Sequence, residues 1–228
     1  AQRAIDFLVA SQNPGKGWRY RSRGGDNDSY RLTATGTQRV AEACLRASVP
    51  LVFASTTSVS GPGVRPKKGV LNEGLDPDQY MPRTPYASSK LAAEELLRVH
   101  FAPRGLVSII LRFGTIYGPS PGMRFHTAVN TFCWQACQGR PIQVWDGAMQ
   151  AQRPYSDLRT AVVALRFAAL GAPTVWQYRR GQTINIVTGH HTVADVLRAI
   201  GAYVPSLVSE TVPAPRDLVN QEGYTVRS

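Results

Sequence analysis

Long apolar runs, cysteine and lysine are all scarce in this chain of 228 residues. No apolar run approaches the roughly 20 residues that a helix needs to cross a bilayer, and the first residues lack the apolar core of a signal peptide. The three cysteines, an odd number on apolar segments, predict neither a disulfide framework nor a metal cage. We therefore expect a protein of a reducing, cytoplasmic setting with no membrane partner.

The positive charge of the chain is almost all arginine. Lysine and arginine total 26 against 15 acidic residues, for a formal net charge of +11, and the lysines are Lys16, Lys67, Lys68 and Lys90 alone. The arginines are scattered, whereas nucleic-acid-binding proteins usually concentrate their charge on one face. The charge pattern therefore predicts no nucleic-acid partner.

The order of apolar segments predicts an α/β fold. Short apolar strands at about 50–55, 107–113, 141–145 and 182–187 alternate with segments of helical periodicity, which is the order typical of α/β proteins. A chain of this length can bury one sizeable core.

Further local signals place helices and a last strand. Helical periodicity marks residues 33–44 and 157–170. Thr192 and Asp195 have the spacing of a capping box that starts a helix. Residues 208–212 are predicted to form the last strand.

Two residue pairs that could suggest metal ligands have plainer interpretations. Cys133 and Cys137 lie one turn apart on a predicted helix over 125–139, and we expect them to be core thiols. His190 and His191 are adjacent, face different ways and have no third ligand in view, so no metal site is predicted.

Residues 85–95, with the sequence P-Y-A-S-S-K-L-A-A-E-E, form the segment on which the functional argument depends. Thr84 can cap a helix and Pro85 suits its first turn, so Tyr86 and Lys90 are predicted to share one helical face. A free tyrosine has a pKa of about 10, and a nearby cation favours the phenolate and lowers that pKa. The pair can therefore move a proton at neutral pH, although this spacing is also common on ordinary surface helices.

Two further motifs accompany this helix. An apolar strand ends in S-T-T at residues 55–57, and L-R-F-G-T-I-Y-G-P follows at residues 111–119. In this order the motifs resemble the extended short-chain dehydrogenase/reductase family, the NAD-dependent sugar-nucleotide epimerases and dehydratases, from about Tyr30 to the C-terminus. The resemblance implies a partial Rossmann-type parallel sheet with flanking helices and a small C-terminal substrate-binding portion.

The resemblance implies a catalytic set of Thr56, Tyr86 and Lys90, with NAD as the cofactor and NADP not excluded. Tyr86 would take the proton of a sugar hydroxyl, Lys90 would hold the nicotinamide ribose, and Thr56 would orient the substrate oxygen. Hydride would pass to NAD, followed by epimerisation, dehydration or decarboxylation. The plain alternative for Thr56 is a strand-end hydroxyl that caps a turn, but aligning residues 59–61 with the family's V-Y-G favours the catalytic interpretation.

The resemblance also implies binding residues around this set. The expected cofactor-binding residues are Ser55, Tyr86, Lys90 and Phe113. The expected contacts to a nucleotide-sugar substrate are Thr57, Thr115 and Arg153. Thr115 stands where the family often has Asn, and Arg153 matches an arginine that grips the nucleotide diphosphate, a role that suits a planar guanidinium fork. The loop over residues 61–83, rich in Gly, Pro and charge, is expected to cover the substrate.

Residues 1–29 do not follow the family pattern. Residues 3–18 combine a short amphipathic segment ending in Gln, a Gly-rich turn and Trp18, and they resemble one repeat of the α/α-toroid prenyltransferase and triterpene-cyclase superfamily. Because one repeat cannot bury its own apolar face, we interpret residues 1–29 as an appended helix and loop. The alternative is an ordinary amphipathic leader helix, and a terpenoid-cyclase relative is the last-ranked hypothesis for the chain.

The family's opening strand and Gly-rich turn, G-x-x-G-x-x-G, have no counterpart in the sequence. That turn holds a dinucleotide pyrophosphate at a helix N-terminus, whereas the glycines at 15–17 and 24–25 precede no helical pattern. We therefore expect a truncated NAD-binding Rossmann-like domain over 30–120 and a substrate-binding portion with returning Rossmann elements over 121–228.

Two predictions follow from this truncation. The expected partner is a second copy or a chain that supplies the missing half of the sheet. The alternative function is a catalytically silent remnant of the epimerase fold that binds or interacts without turnover.

Overall fold

The computed structural model describes residues 31–60, 70–71, 73, 80, 82, 84–123, 125, 127–171, 180–213 and 225–226. The predicted appended segment, the glycines at 15–17 and 24–25, and most of the predicted loop over 61–83 lie outside the described residues.

Helices and strands alternate through the described residues. The helices are α1 (Gly36–Ala47), α2 (Pro85–Glu95), α3 (Ala128–Cys137), α4 (Leu158–Leu170) and α5 (Val193–Gly201). A π-helical turn (Arg31–Thr35) precedes α1, another (Leu96–Phe101) continues α2, and a 3₁₀ turn spans Thr57–Ser60. The strands are β1 (Leu51–Thr56), β2 (Val70–Leu71), β3 (Ser108–Phe113), β4 (Thr115–Tyr117), β5 (Ile142–Trp145), β6 (Arg153–Asp157), β7 (Arg180–Ile186), β8 (Gly189–His191), β9 (Ser209–Val212) and β10 (Thr225–Val226).

The described strands pair in four small sheets, in the orders β1-β3-β7, β4-β6-β8, β5-β9 and β10-β2. The pairs β4–β6, β5–β9 and β2–β10 are parallel, and β6–β8 is antiparallel. The α/β class with parallel pairing is therefore confirmed. The strand predicted over 141–145 is β5, and it pairs with β9 in a sheet of its own.

The chain divides into two compact units. Of the described residues, unit 1 comprises 31–55, 84–111, 168–171 and 180–183, and unit 2 comprises the remainder.

The core of unit 1 lies where α1 and the end of the α2 segment meet the sheet strands. Its buried members are Ala41, Leu97, Phe101, Leu106 and Ile110. Every residue of β3 is buried, as is typical of a strand covered on both faces. The sequence signals this arrangement through the all-apolar centre of β3 and the 3.6-residue period of the helices.

The core of unit 2 lies between α3, α5 and β5. Its buried members are Phe132, Ala136, Ile142, Val144, Val193, Leu197 and Ile200. The predicted capping box starts α5: the Thr192 side chain accepts from the Asp195 backbone N–H, and the Asp195 side chain accepts from that of Thr192. This prediction is confirmed.

Several predicted boundaries differ from the structure. The helix predicted over 125–139 begins only at Ala128, because Thr127 has extended backbone angles of φ −97° and ψ 138°. Strand β9 is not the last, since β10 pairs with β2. Strands β4, β6 and β8 were not predicted, because they are three to five residues long and lack an apolar alternation.

Candidate active site

The N-terminus of α2 has the predicted cap. Thr84 is extended, its Oγ1 accepts a hydrogen bond from the backbone N–H of Ala87 at 3.1 Å, and Pro85 occupies the first helical position. A side-chain cap of this kind contributes about 1 kcal/mol. It fixes Tyr86 in the first turn, where its side chain is 43% exposed.

The Lys90 ammonium lies against the carboxyl-terminal part of β1. Its Nζ donates to the backbone carbonyl of Ala54 at 2.8 Å, and it lies 4.9 Å from the centroid of the Phe53 ring and 6.0 Å from that of Tyr86. Burial lowers the pKa of Lys90, and the negative charge of Glu94 opposes this shift. The structure thus brings Tyr86 and Lys90 together, as their helical spacing predicts.

Ser55, predicted to contact the cofactor, uses its hydroxyl within the protein. It is buried and donates to Oε1 of Glu94 at 2.5 Å. Glu94 has no exposed side-chain surface. Sequence reasoning assigned Glu94 no role, although its position one turn after Lys90 was a signal.

Thr56 is the last residue of β1, and Thr57 begins the 3₁₀ turn that follows it. The Thr56 hydroxyl donates to Oγ of Ser58 and accepts from its backbone N–H, both at 3.2 Å. Thr57 is 2% exposed. Thr56 belongs to unit 2 and Tyr86 to unit 1, and the catalytic and substrate roles of the two threonines stay predictions.

Phe113, Thr115 and Arg153 all lie in unit 2. Phe113 is buried at the end of β3. Thr115 pairs with Tyr155 in the β4–β6 ladder, and Arg153 pairs with His191 across β6–β8. Burial raises the pKa of Tyr155, whereas the nearby Arg153 charge lowers it. Thr115 and Arg153 therefore stand on two hydrogen-bonded strands of one sheet.

Gly114 allows β6, the central strand of the β4-β6-β8 sheet, to approach the end of β3 closely. Its backbone N–H donates to Oγ of Ser156 at 2.9 Å, and the Ser156 hydroxyl donates to the carbonyl of Ile186 at 2.5 Å. A Cβ atom at Gly114 would lie 2.7 Å from the backbone oxygen of Pro154. Glycine is therefore required here by close backbone approach.

A buried arginine was also missed. Arg112 has no exposed side-chain surface, its Nη1 donates to the hydroxyl of Tyr80 at 3.0 Å, and its guanidinium lies 4.8 Å from the centroid of that ring. Glu73 accepts a hydrogen bond from the backbone N–H of Asn185 at 2.7 Å. Tyr80 and Glu73, both in the segment predicted to cover the substrate, are thus hydrogen-bonded to Arg112 of β3 and Asn185 of β7.

Unit 2 contains an apolar cavity of about 790 Å³ between α3 and α5. Aromatic side chains that include Tyr117, Trp134 and Tyr203 line it, together with Cys133 and Cys137. The expectation that both cysteines are core thiols is wrong, because both are exposed. Partial burial, and secondarily the neighbouring Cys137, raise the pKa of Cys133. This thiol therefore stays protonated at neutral pH.

Neither a metal cluster nor a membrane-spanning helix occurs among the described residues. No cluster of three or more His, Cys, Asp or Glu side chains there could hold a metal ion. No helix in the same residues has the length and apolar character that a membrane crossing requires.

Comparison with known proteins identifies the family. The model of the NAD dependent epimerase/dehydratase family matches residues 14–204, and the chain belongs to this family. The match begins at residue 14, inside the segment interpreted as an addition, so the family pattern starts earlier than Tyr30. The comparisons lend no support to the resemblance of that segment to a toroid repeat.

Among curated proteins, the chain is similar to the uncharacterized UDP-glucose epimerase YtcB of Bacillus subtilis, with 34% identity over 166 residues. The match covers 72% of this chain and 46% of that protein, so the chain spans about half of its relative.

Solved structures give the same fold. UDP-glucose 4-epimerase of Thermus thermophilus, in complex with NAD, is 25% identical with a TM-score of 0.68, covering 86% of this chain and 61% of that one. UDP-glucuronic acid 4-epimerase of Bacillus cereus, in complex with UDP-glucuronic acid and NAD, has a TM-score of 0.72 at 24% identity, covering 92% of this chain and 63% of that one. At that identity, the second likeness is evidence of fold alone.

Proposed function

We propose that this chain carries the catalytic and substrate-binding part of an NAD-dependent epimerase or dehydratase that acts on a UDP-sugar. Its membership in the family supports the reaction class. The similarity to a UDP-glucose epimerase supports the substrate class. The comparisons do not favour a catalytically silent remnant.

One observation carries the proposal. Lys90 is bound to the carbonyl of Ala54 at 2.8 Å, and its Nζ lies 6.0 Å from the ring centroid of Tyr86. This geometry holds an ammonium beside a half-exposed phenol at the end of a strand. Ligands of open α/β sheets bind at the carboxyl ends of the strands, so the pair stands where chemistry is expected.

The chain's residues fit the ribose end of NAD. A lysine ammonium has three donors, and Lys90 directs one to Ala54, which leaves capacity for ribose hydroxyls. NAD, when bound, supplies the hydride acceptor. We assign Ser55 and Phe113 to the cofactor contacts, as the family resemblance implies.

The catalytic roles follow from the side chains. Tyr86 accepts the proton of the reacting sugar hydroxyl as general base, and the Lys90 ammonium favours the phenolate form. Thr56 orients the sugar oxygen by a hydrogen bond. A ketone at this carbon has no stereocentre, so return of the hydride to its opposite face would epimerise the sugar. The same ketone would acidify the neighbouring C–H bond, which would permit dehydration.

The nucleotide diphosphate is assigned to Arg153. Its guanidinium fork can donate two hydrogen bonds to phosphate oxygens. Thr115 stands on β4, which pairs with β6, the strand that carries Arg153. Thr57 completes the proposed substrate contacts.

We further propose a molecular setting for this activity. Residues 30–120 act as the NAD-binding part and residues 121–228 as the substrate-binding portion with returning Rossmann elements. The working form is a cytoplasmic homodimer or a complex with a chain that completes the sheet.

Calorimetric titration with NAD tests the proposal. We expect saturable heat with the wild type, a loss of at least tenfold in affinity for Lys90→Met, and unchanged affinity for the control Lys68→Met. Absence of heat at millimolar NAD, or equal affinity in Lys90→Met and wild type, would contradict it.

A further inference from the structure

Glu94 is a fully buried carboxylate that the proposed mechanism does not use. Burial of a carboxylate is tolerated only where partners compensate for its lost hydration. One partner is the hydroxyl of Ser55, which donates to Glu94 Oε1 at 2.5 Å. Ser55 stands directly before Thr56, so this bond holds the chain next to a proposed catalytic residue.

Lys90 and Glu94 bind consecutive residues of β1. Lys90 Nζ donates to the carbonyl of Ala54, and Glu94 accepts from the side chain of Ser55. The two side chains are one helical turn apart, where opposite charges attract. Together they attach α2 to the end of β1 at two adjacent points within unit 1.

We propose that Glu94 is a positioning residue that fixes α2 against the end of β1 through Ser55 and places a negative charge one helical turn from the Lys90 ammonium. The catalytic consequence rests on the proposed function, because only an ammonium favours the phenolate of Tyr86. The effect of the Glu94 charge on Lys90 is a property of the folded chain and can be measured without turnover.

The surroundings of Lys90 support this assignment. Among the described residues, the titratable groups that face Lys90 are Tyr86 and Glu94 on α2, while β1 presents the uncharged Phe53 ring and the Ala54 carbonyl. Burial lowers the pKa of Lys90 and the charge of Glu94 raises it. Removal of the Glu94 charge would therefore leave the effect of burial unopposed.

The scarcity of lysine makes a direct measurement possible. Reductive methylation with ¹³C-formaldehyde labels the four lysines, and NMR follows each dimethylamine through a pH titration. The Lys90 resonance is the one missing from Lys90→Arg. Glu94→Gln keeps an oxygen that can accept from Ser55 but removes the carboxylate, whereas Ser55→Ala removes the hydrogen bond but leaves the Glu94 side chain in place.

We expect the Lys90 midpoint to move to lower pH in Glu94→Gln and to stay near the wild-type value in Ser55→Ala. A Lys90 midpoint in Glu94→Gln that equals or exceeds the wild-type value would overturn the proposal. If Glu94→Gln does not fold, Glu94→Met, which leaves no unpaired amide, replaces it with the same two outcomes. Failure of the proposed function would be a separate result. NAD would not bind to the wild type, while the Lys90 midpoint would still be lower in Glu94→Gln than in the wild type.

Discussion

Tyr86 and Tyr203 illustrate how much a tyrosine's surroundings decide its chemistry. Tyr203 is 90% exposed after α5. Tyr86 is half-covered in the first turn of α2, with the Lys90 ammonium 6.0 Å from its ring centroid. The environment of Tyr86 thus offers a cation that favours a phenolate.

Replacing Tyr86 by Phe is expected to abolish sugar-nucleotide turnover while the fold stays intact. General acid–base groups contribute about 10²- to 10⁴-fold to rate, whereas an exposed hydroxyl contributes within about 0.5 kcal/mol to stability. Turnover with a UDP-sugar and thermal unfolding by circular dichroism measure the two effects. Tyr203→Phe is the matched control and should retain both, and a wild-type rate for Tyr86→Phe would remove this residue from the mechanism.

The residue pairs that could be predicted from the sequence are those whose two members lie on the same helix. Tyr86 and Lys90 share a face because helical geometry places residues four apart together. Glu94 and Ser55 are 39 positions apart, and Arg112 and Tyr80 are 32 apart. Such contacts depend on tertiary packing, so no local pattern in the sequence indicates them.

At the scale of elements, helix ends were predicted better than short strands. Thr84 with Pro85, and Thr192 with Asp195, are local chemical signals, and both form the expected caps. Strand β6 contains Pro154 and begins with Arg153, a composition typical of a turn. It is a strand because two neighbouring strands pair with it.

Gly114→Ala is expected to destabilise the chain by about 1–3 kcal/mol, the usual cost of overpacking. The added Cβ would lie 2.7 Å from the Pro154 carbonyl oxygen, which is backbone and cannot move aside. Urea denaturation gives the change in the free energy of unfolding. At Gly201, the last residue of α5, a Cβ would meet no atom within 4 Å, so Gly201→Ala should be neutral or stabilising by up to about 1 kcal/mol. Equal effects of the two substitutions would contradict the packing argument.

The capping box of α5 predicts an acid-sensitive contribution to stability. Hydrogen bonds from the Thr192 backbone and hydroxyl, and from Arg198, lower the pKa of Asp195 from 3.8 to about 2. A pKa lower in the folded than in the unfolded chain means that this contribution is complete above pH 3.8 and is lost as the pH falls toward about 2.

Asp195→Asn should therefore have a lower Tm than the wild type at pH 7, and the difference should shrink over that acid window. Thermal melts at a series of pH values measure it. Asp146→Asn, an exposed aspartate after β5, is the control. A Tm difference for Asp195→Asn that is constant from pH 7 to about 2 would contradict the role of this carboxylate.

At the scale of the whole molecule, family and fold class were predictable and the arrangement of sheets was not. The order of motifs around residues 55–57, 85–95 and 111–119 identified the family that the comparison confirms. The pairing of β5 with β9 joins residues 67 positions apart. Neither strand carries a signal that names its partner.

The net charge of +11 predicts that salt stabilises the chain. Excess charge of one sign repels itself in the compact state, and raising the ionic strength from about 0.01 M to about 1 M shortens the Debye length from about 30 Å to about 3 Å. We expect Tm to rise with sodium chloride over this range. Sucrose at matched osmolality serves as the uncharged comparison, and a Tm that falls with salt would show that attractive ion pairs outweigh the repulsion.

The open cavity between α3 and α5 affects how such melts can be recorded. Dyes that fluoresce on entering nonpolar surroundings report unfolding only when the native state excludes them. A space of about 790 Å³ bordered by Trp134 and Tyr203 can admit a dye of ordinary size. We therefore expect such a dye to fluoresce with the native chain before heating begins, which makes circular dichroism the sounder optical probe.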